Sequence, residues 1–319
     1  MLQWPDTLKF KINKSKFNFK KKVIEIENFF SKKYKTKYAV LSPSGRSSIN
    51  TILNFFNFNR SKIVNIPLWT SACLVNSLGS FTNISVKNYK VDCNIIVHKW
   101  GYTFRIPKNL KKKLKKKLVI DDSADCLPNY NYKPFENNSN YEIVSLPKII
   151  GSLCGGIILT NDKKFYKYCK KKQYINSHFS KSQTLKKYNS IFINKSNQDW
   201  RYYESFNHSV DPIGVNNIYE CLKNFKINID VIKERQEIIK KNFKQIKFDT
   251  KRLGPCAIFE KKKYGKKFIK ILEKKHFSFG LDPFKEKYST CYIFPIHFGI
   301  SNKKFKITLN KLIKIARKK

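Results

Sequence analysis

Leu118-Val119-Ile120-Asp121-Asp122 and Glu142-Ile143-Val144-Ser145-Leu146-Pro147-Lys148 are the two stretches that decide the fold. Each begins in a short apolar run rich in β-branched residues; one ends in a pair of carboxylates, the other in a lysine, with Gly155-Gly156 just downstream. Such runs, closed by polar or turn-forming residues, read as strands buried in a sheet. The same pattern continues outward. Tyr38-Ala39-Val40-Leu41 is a strand ending at Ser42-Pro43-Ser44-Gly45, and Ile49, Ile52, Leu53 and Phe56 then line one face of a helix. Ile63-Val64-Asn65-Ile66 (closed by Pro67), Asn94-Ile95-Ile96-Val97 (ending at His98) and Gly156-Ile157-Ile158-Leu159-Thr160 extend the series. Strands separated by helical crossovers predict an α/β fold, a mainly parallel sheet with helices on both faces. Ligands in such sheets sit at the carboxyl ends of the strands, where Ser44, His98, Asp122 and Ser145 fall.

Beyond the sheet, residues 161–210 are polar, aromatic and weakly patterned, and read as a long loop with short helices. Helical spacing returns from Val215 to Phe243 through Ile218, Leu222, Phe225, Ile232 and Ile238. Cys256-Ala257-Ile258-Phe259, a helix around Phe268, Ile269, Ile271 and Leu272, the run Cys291-Tyr292-Ile293-Phe294 and a last helix from Asn302 predict a small α+β unit. The expected division is a large domain over residues 1–240 and a small one over 241–319.

A chain of 319 residues with 41% hydrophobic content builds a packed core. It has no run of about eighteen apolar residues, so no membrane span is expected. Met1-Leu2-Gln3-Trp4-Pro5-Asp6 lacks the apolar centre of a secretion signal, and the expected location is the cytoplasm. The net charge of +44 comes from 59 Lys and only 7 Arg. Arg is the residue suited to forked contacts with guanine or phosphate. Runs such as Lys111-Lys112-Lys113-Leu114-Lys115-Lys116-Lys117 therefore read as solvated helix surface, and nucleic acid is not an expected partner. Such a surface still favours anionic substrates. The eight cysteines form no CxxC pair and the five histidines no HxxxH or HxH, which predicts free thiols and no metal site.

A carboxylate at one strand tip and a lysine at another are what pyridoxal phosphate (PLP) chemistry requires. The amine forms a Schiff base with the cofactor aldehyde, and the acid keeps the pyridine nitrogen protonated. The residues also resemble the DegT/StrS-type sugar aminotransferases, fold-type I PLP enzymes, over roughly residues 27–315. Phe29-Phe30-Ser31-Lys32-Lys33-Tyr34 with Lys37-Tyr38-Ala39-Val40 is similar to the family's opening. Ser44-Gly45-Arg46-Ser47-Ser48 stands where the family has Ser-Gly-Thr-x-Ala, and His98-Lys99-Trp100-Gly101 resembles its His-x-x-Gly loop. Ile120-Asp121-Asp122-Ser123-Ala124-Asp125 resembles Ile-Glu-Asp-Ala-Ala-Gln. Ser145-Leu146-Pro147-Lys148 with Gly155-Gly156 is similar to a contracted lysine segment, and Phe294-Pro295-Ile296-His297-Phe298-Gly299-Ile300-Ser301 to Leu-Pro-Leu-His-Pro-Gly-Leu-Ser.

The resemblance implies a role for each residue. Lys148 would bind the cofactor and carry protons, against the plain reading of one exposed lysine among 59. Asp122 would face the pyridine nitrogen or else cap a helix, with Asp121 pointing the other way because successive strand residues alternate. Gly45 and Arg46 would meet the cofactor phosphate at a helix N-terminus, joined by the Ser145 hydroxyl, unless Ser44 or Ser47 only caps that helix. Trp69 would stack on the ring or belong to the core. His98 would touch substrate or be structural, His297 is expected to be structural, and Asn207 would stand for the family's Asn-x-Arg segment at the neighbouring subunit. Asp125 replaces the usual glutamine near the cofactor hydroxyl, Arg46 a threonine, and Ser71 occupies the position of the stacking aromatic. The implied activity is transfer of an amino group from an amino acid, glutamate by resemblance, to a nucleotide-linked keto sugar for surface-glycan synthesis, by a homodimer. The rivals are a non-catalytic relative with a scaffolding or regulatory role and a sugar dehydratase.

Overall fold

The strand that ends in Asp122 and the strand that leads into Lys148 lie side by side in the middle of a seven-stranded sheet. The structure, a computed structural model, describes residues 3–7, 10, 18–86, 91–106, 114, 117–193, 208–260, 264, 268, 270–278 and 288–317. Its strands are β1 (Tyr38–Ser42), β2 (Ile63–Asn65), β3 (Asn83–Ser85), β4 (Cys93–Val97), β5 (Leu118–Asp122), the short β6 (Leu127–Pro128), β7 (Tyr141–Ser145) and β8 (Gly156–Thr160). The large sheet has the order β1-β8-β7-β5-β4-β2-β3. All neighbours run parallel except β8, which is antiparallel to both β1 and β7. The reversal follows from chain length. Only residues 146–155 separate β7 from β8, too few for the crossover that a parallel return needs.

Helices cover both faces. They are α1 (Phe19–Tyr34), α2 (Gly45–Phe55), α3 (Ala72–Gly79), α4 (Leu146–Ile150), α5 (Lys163–Lys172), α6 (Ser177–Phe192), α7 (Pro212–Cys221) and α8 (Asn224–Asn242). Strand alternation sorts the apolar side chains between two cores. Ala39, Leu41, Val144, Ile157 and Leu159 join Val23, Ile26 and Phe30 of α1 and Phe225 and Ile232 of α8. Val40, Ile120, Ile143 and Ile158 face the other way, onto Ile49, Ile52 and Leu53 of α2 and Phe165 of α5.

The stretch read as a long loop is helical: α5 and α6 fill most of 161–193. The inner face of α6 is polar, which is why its sequence shows no apolar period. Its buried Ser180 and Thr184 hydroxyls donate to Asp211 at 3.5 and 2.7 Å.

After α8 come β9 (Arg252–Leu253), β10 (Cys256–Glu260), β11 (Glu273–Ser278), β12 (Tyr288–Pro295) and α9 (Asn302–Arg317). The last three strands form an antiparallel sheet in the order β10-β12-β11, while β9 pairs with β6. The helix expected around Phe268 falls largely outside the described residues. The first core runs unbroken from Val23 to Leu312, so the C-terminal sheet shares its apolar interior with the large sheet.

Candidate active site

Parallel pairing puts the ends of β4, β5 and β7 on one rim, with Val97 opposite Asp122 and Asp122 opposite Ile143. The two aspartates diverge there. Asp121 is fully buried and accepts from the Asn137 side-chain amide (2.7 Å) and the Ser139 hydroxyl (2.8 Å), with His98 Nε2 at 3.2 Å. Burial alone would raise its pKa, but His98, Arg252 and Asn137 outweigh it and hold the carboxyl at about 2. Asp122 turns toward the rim. Its Oδ1 accepts the Ala124 N–H at 2.9 Å, and its Oδ2 takes no hydrogen bond among the described residues. Burial pushes its pKa up, and the Lys148 charge is the main influence drawing it back. Lys148 itself is half-buried on α4, a five-residue helix that Gly151 ends in the left-handed conformation (φ 69).

The turn into α2 completes the rim. Ser44 caps α2 by accepting the Ser47 N–H at 3.1 Å. A Cβ on Gly45 would lie 3.5 Å from Ser145 Cβ, so the first residue of α2 adjoins the end of β7. Gly155-Gly156 make this approach possible. Gly155 has φ 109 and donates its N–H to Pro43 (2.8 Å), and a Cβ on Gly156 would come within 2.5 Å of the Ser44 backbone. The cap and the glycine pair thus hold one turn, Ser44-Gly45, against the Ser145 hydroxyl.

Two side chains that the sequence reading passed over also belong here. Lys99 follows β4 in a turn where Trp100 has φ 53 and Gly101 φ 86. The turn is pinned from the C-terminal side, because a Cβ on Gly101 would lie 2.1 Å from Gly254 N. Burial lowers the Lys99 pKa, partly offset by Asp125 and Asp122, while Lys148 lowers it further. Asp125 is buried and accepts from the Cys126 thiol at 3.8 Å. Two carboxylates and two ammonium groups therefore share the rim, and Lys99 offsets the charge that Asp125 adds. Lys187 of α6 lies within electrostatic reach of Arg46 and Cys154, and burial pushes its pKa down to about 8. Nothing in the sequence separates these two lysines from the other 57.

Other expected residues stand elsewhere or in other surroundings. His98 is turned away from the rim. Its ring is fully buried, with Nδ1 accepting the Phe104 N–H (3.1 Å) and Nε2 directed at Asp121, so it supports the strand from behind. Trp69 packs in a small apolar cluster, its ring 5.5 Å from that of Phe104. His297 is buried and accepts the Gly299 N–H at 3.2 Å. Arg46 lies half-buried in the first turn of α2 near Lys187 and Cys73, its pKa lowered by burial. Asn207 lies outside the described residues. All eight cysteines are free thiols.

The residues present fit PLP. An eleven-residue helix N-terminus and a hydroxyl meet at one end, where free N–H groups and the helix dipole favour a phosphate. A lysine stands beside them, and a carboxylate with a free oxygen suits a protonated ring nitrogen. Fold and site define a PLP enzyme of the fold-type I class. Residues 26–316 match the model of a family described as putative PLP-dependent aminotransferase, and the chain belongs to that family. This makes pyridoxal phosphate the cofactor. No curated protein matches the chain by sequence.

Among solved structures, the chain is similar to a putative sugar aminotransferase from Streptococcus pneumoniae in its PMP form. The identity is 12%, over 99% of this chain and 92% of that one, with TM-score 0.61. It also resembles a DegT DnrJ EryC1 StrS aminotransferase from Brucella abortus, at 11% identity over 93% and 90%, TM-score 0.55. A third is a mutant of GDP-4-keto-6-deoxymannose-3-dehydratase (ColD) with bound GDP-perosamine, at 14% identity over 92% and 92%, TM-score 0.60. At these identities the likeness is one of fold.

Proposed function

We propose that the enzyme moves an amino group from an amino acid, with glutamate the expected donor, to a keto sugar carried on a nucleoside diphosphate. The observation that carries this reading is the rim itself: Asp122 from the end of β5, Gly45 from the start of α2, and Ser145 with Lys148 from the β7–α4 junction meet there from three separate segments. The names of two structural neighbours, one a sugar aminotransferase and one holding a GDP-linked sugar, support the acceptor class. So does the net charge of +44, which attracts an anionic carrier. The remaining expectations stay part of the proposal: a cytoplasmic homodimer, a large domain over 1–240 with a small one over 241–319, and a product used in surface glycans. Among the described residues no helix is long and apolar enough to cross a membrane.

When bound, PLP supplies the aldehyde that takes up the amino group and a ring that stabilises negative charge on the adjacent carbon. The chain's residues do the rest. The Lys148 amine holds the cofactor and, once free, moves a proton on and off the substrate carbon. Asp122 keeps a proton at the ring nitrogen; its raised pKa reflects a buried site where a bound cation would favour the carboxylate. The α2 N-terminus and Ser145 orient the phosphate, with Arg46 and Lys187 adding positive charge.

Borohydride treatment of the PLP-loaded protein, followed by peptide mapping, tests the reading. The label is expected on Lys148, and glutamate is expected to discharge the lysine–cofactor absorption band. A protein that takes up no PLP, or a label on any other lysine, refutes it.

A further inference from the structure

The Lys148 amine does not face solvent alone. Its Nζ lies 4.6 Å from the centre of the Trp4 ring, a cation–π contact made by a residue 144 positions away in sequence. Trp4 is delivered by Gln3–Thr7, a segment anchored on both sides of the rim. The Gln3 carbonyl accepts the Cys256 thiol of β10 at 3.6 Å. Pro5 is buried, and a Cβ on Gly299 would lie 3.1 Å from its Cα. A Cβ on Gly151, the residue ending the helix that bears Lys148, would meet the Asp6 carbonyl at 3.0 Å and Pro5 Cβ at 3.6 Å. The segment thus bridges the C-terminal sheet and the Lys148 helix. The Trp4 Nε1 is buried with no hydrogen-bond partner among the described residues, so the indole is held by its faces and by its backbone.

We propose that Trp4 is a positioning residue for Lys148: the Gln3–Thr7 segment seats an indole face on the amine and keeps it at the rim whenever it is not joined to the cofactor. The inference rests on Lys148 being the cofactor-bearing lysine. The need for such a seat comes from the neighbours. Asp122 and Asp125 both lie within electrostatic reach of this corner of the rim, and Lys99 competes for them. A free lysine on a flexible four-carbon stem is drawn to a carboxylate, and an amine paired with Asp122 would occupy the group meant for the ring nitrogen. An aromatic face attracts the ammonium without a directional hydrogen bond, so it holds the amine yet lets it leave for the cofactor aldehyde.

The test is the rate at which apo-protein recovers the lysine–cofactor absorption band on mixing with PLP, measured for Trp4→Phe, Trp4→Leu and Trp4→Ala. Thermal melts of each variant verify folding. Trp4→Phe is expected within about twofold of the parent, because it keeps a π face, whereas Trp4→Leu and Trp4→Ala slow recovery about tenfold. Leucine covers the site as well as phenylalanine does, so a merely structural role predicts equal rescue by both. Equal rates for Trp4→Leu and Trp4→Phe, or a wild-type rate for Trp4→Ala, overturn the inference. A parent protein that forms no band at all overturns the proposed function, and the inference falls with it.

Discussion

Two adjacent aspartates end β5 with opposite surroundings, and each predicts a different variant phenotype. Asp121 meets three hydrogen-bond donors and the His98 ring, whereas Asp122 has one donor and a free oxygen. Asp122→Asn is expected to keep its borohydride label on Lys148 but to discharge with glutamate about a hundredfold or more slowly, because the ring nitrogen loses its proton-holding partner. Asp121→Asn is a stability variant. The Asp121 pKa is held at about 2, well below the usual aspartate value. A depressed carboxylate stabilises the fold above the unfolded-state pKa, and that stabilisation is lost as pH falls through the folded one. About 2 kcal/mol therefore disappears between pH of about 4 and about 2 in the parent. Urea midpoints measured across that range should converge for parent and variant, and a constant gap would contradict the assignment. Lys187 gives the opposite sign. Its amine, pushed down to about 8, loses its charge as pH rises beyond that value. PLP affinity is expected to weaken above pH of about 8 in the parent, while Lys187→Met binds about tenfold more weakly below that pH and lacks the alkaline decline. Equilibrium dialysis of PLP across pH reads both effects.

At the scale of elements, the strands were legible because β-branched runs in β1, β2, β4, β5, β7 and β8 end in turn or polar residues. The Gly155-Gly156 pair was also legible, since few sequences need two residues without side chains beside a buried turn. The direction of β8 was not, because direction depends on the length of the preceding connection rather than on the strand's own residues. Nor was α6, whose buried contacts run through hydroxyls to Asp211. His98 shows a further limit: a histidine at a strand end has the same sequence context whether it faces a ligand or the back of the neighbouring strand. Joining these elements is an ion pair that no local pattern reveals. Arg252 of β9 donates to Glu142 of β7 at 2.9 Å, to Ser123 at 3.2 Å and to Thr103 at 3.2 Å, with both charged groups fully buried. Burial opposes the Arg252 charge, but Glu142, Tyr132 and Asp121 outweigh it and raise its pKa. Arg252→Met would leave Glu142 charged and unpaired, and is expected to cost about 3–5 kcal/mol in a urea titration. Glu142→Gln/Arg252→Met, which removes both charges, should recover a large part of that loss. At the turn beside Ser44, Gly156→Ala forces a methyl within 2.5 Å of backbone, so a loss of about 1–3 kcal/mol together with weaker PLP retention is expected.

For the whole molecule, the surplus of lysine has a functional consequence that single residues do not. Acidic residues number 22 against 66 basic ones, so the exterior carries a field that the compact rim alone does not generate. A doubly charged diphosphate carrier is drawn in by this field more strongly than glutamate, which carries a single net negative charge. Salt separates the two because exposed charges are screened over roughly 10 Å at 0.1 M and about 3 Å at 1 M. In steady-state assays, kcat/KM for the nucleotide-linked acceptor is expected to fall about tenfold between low and molar salt, chiefly through KM. The glutamate half-reaction, followed spectroscopically, should fall by only about threefold over the same range, because its substrate carries half the charge. Equal salt sensitivity in both halves would mean that the positive exterior plays no part in choosing the acceptor, and that only contacts at the rim distinguish an anionic sugar carrier from any other ketone.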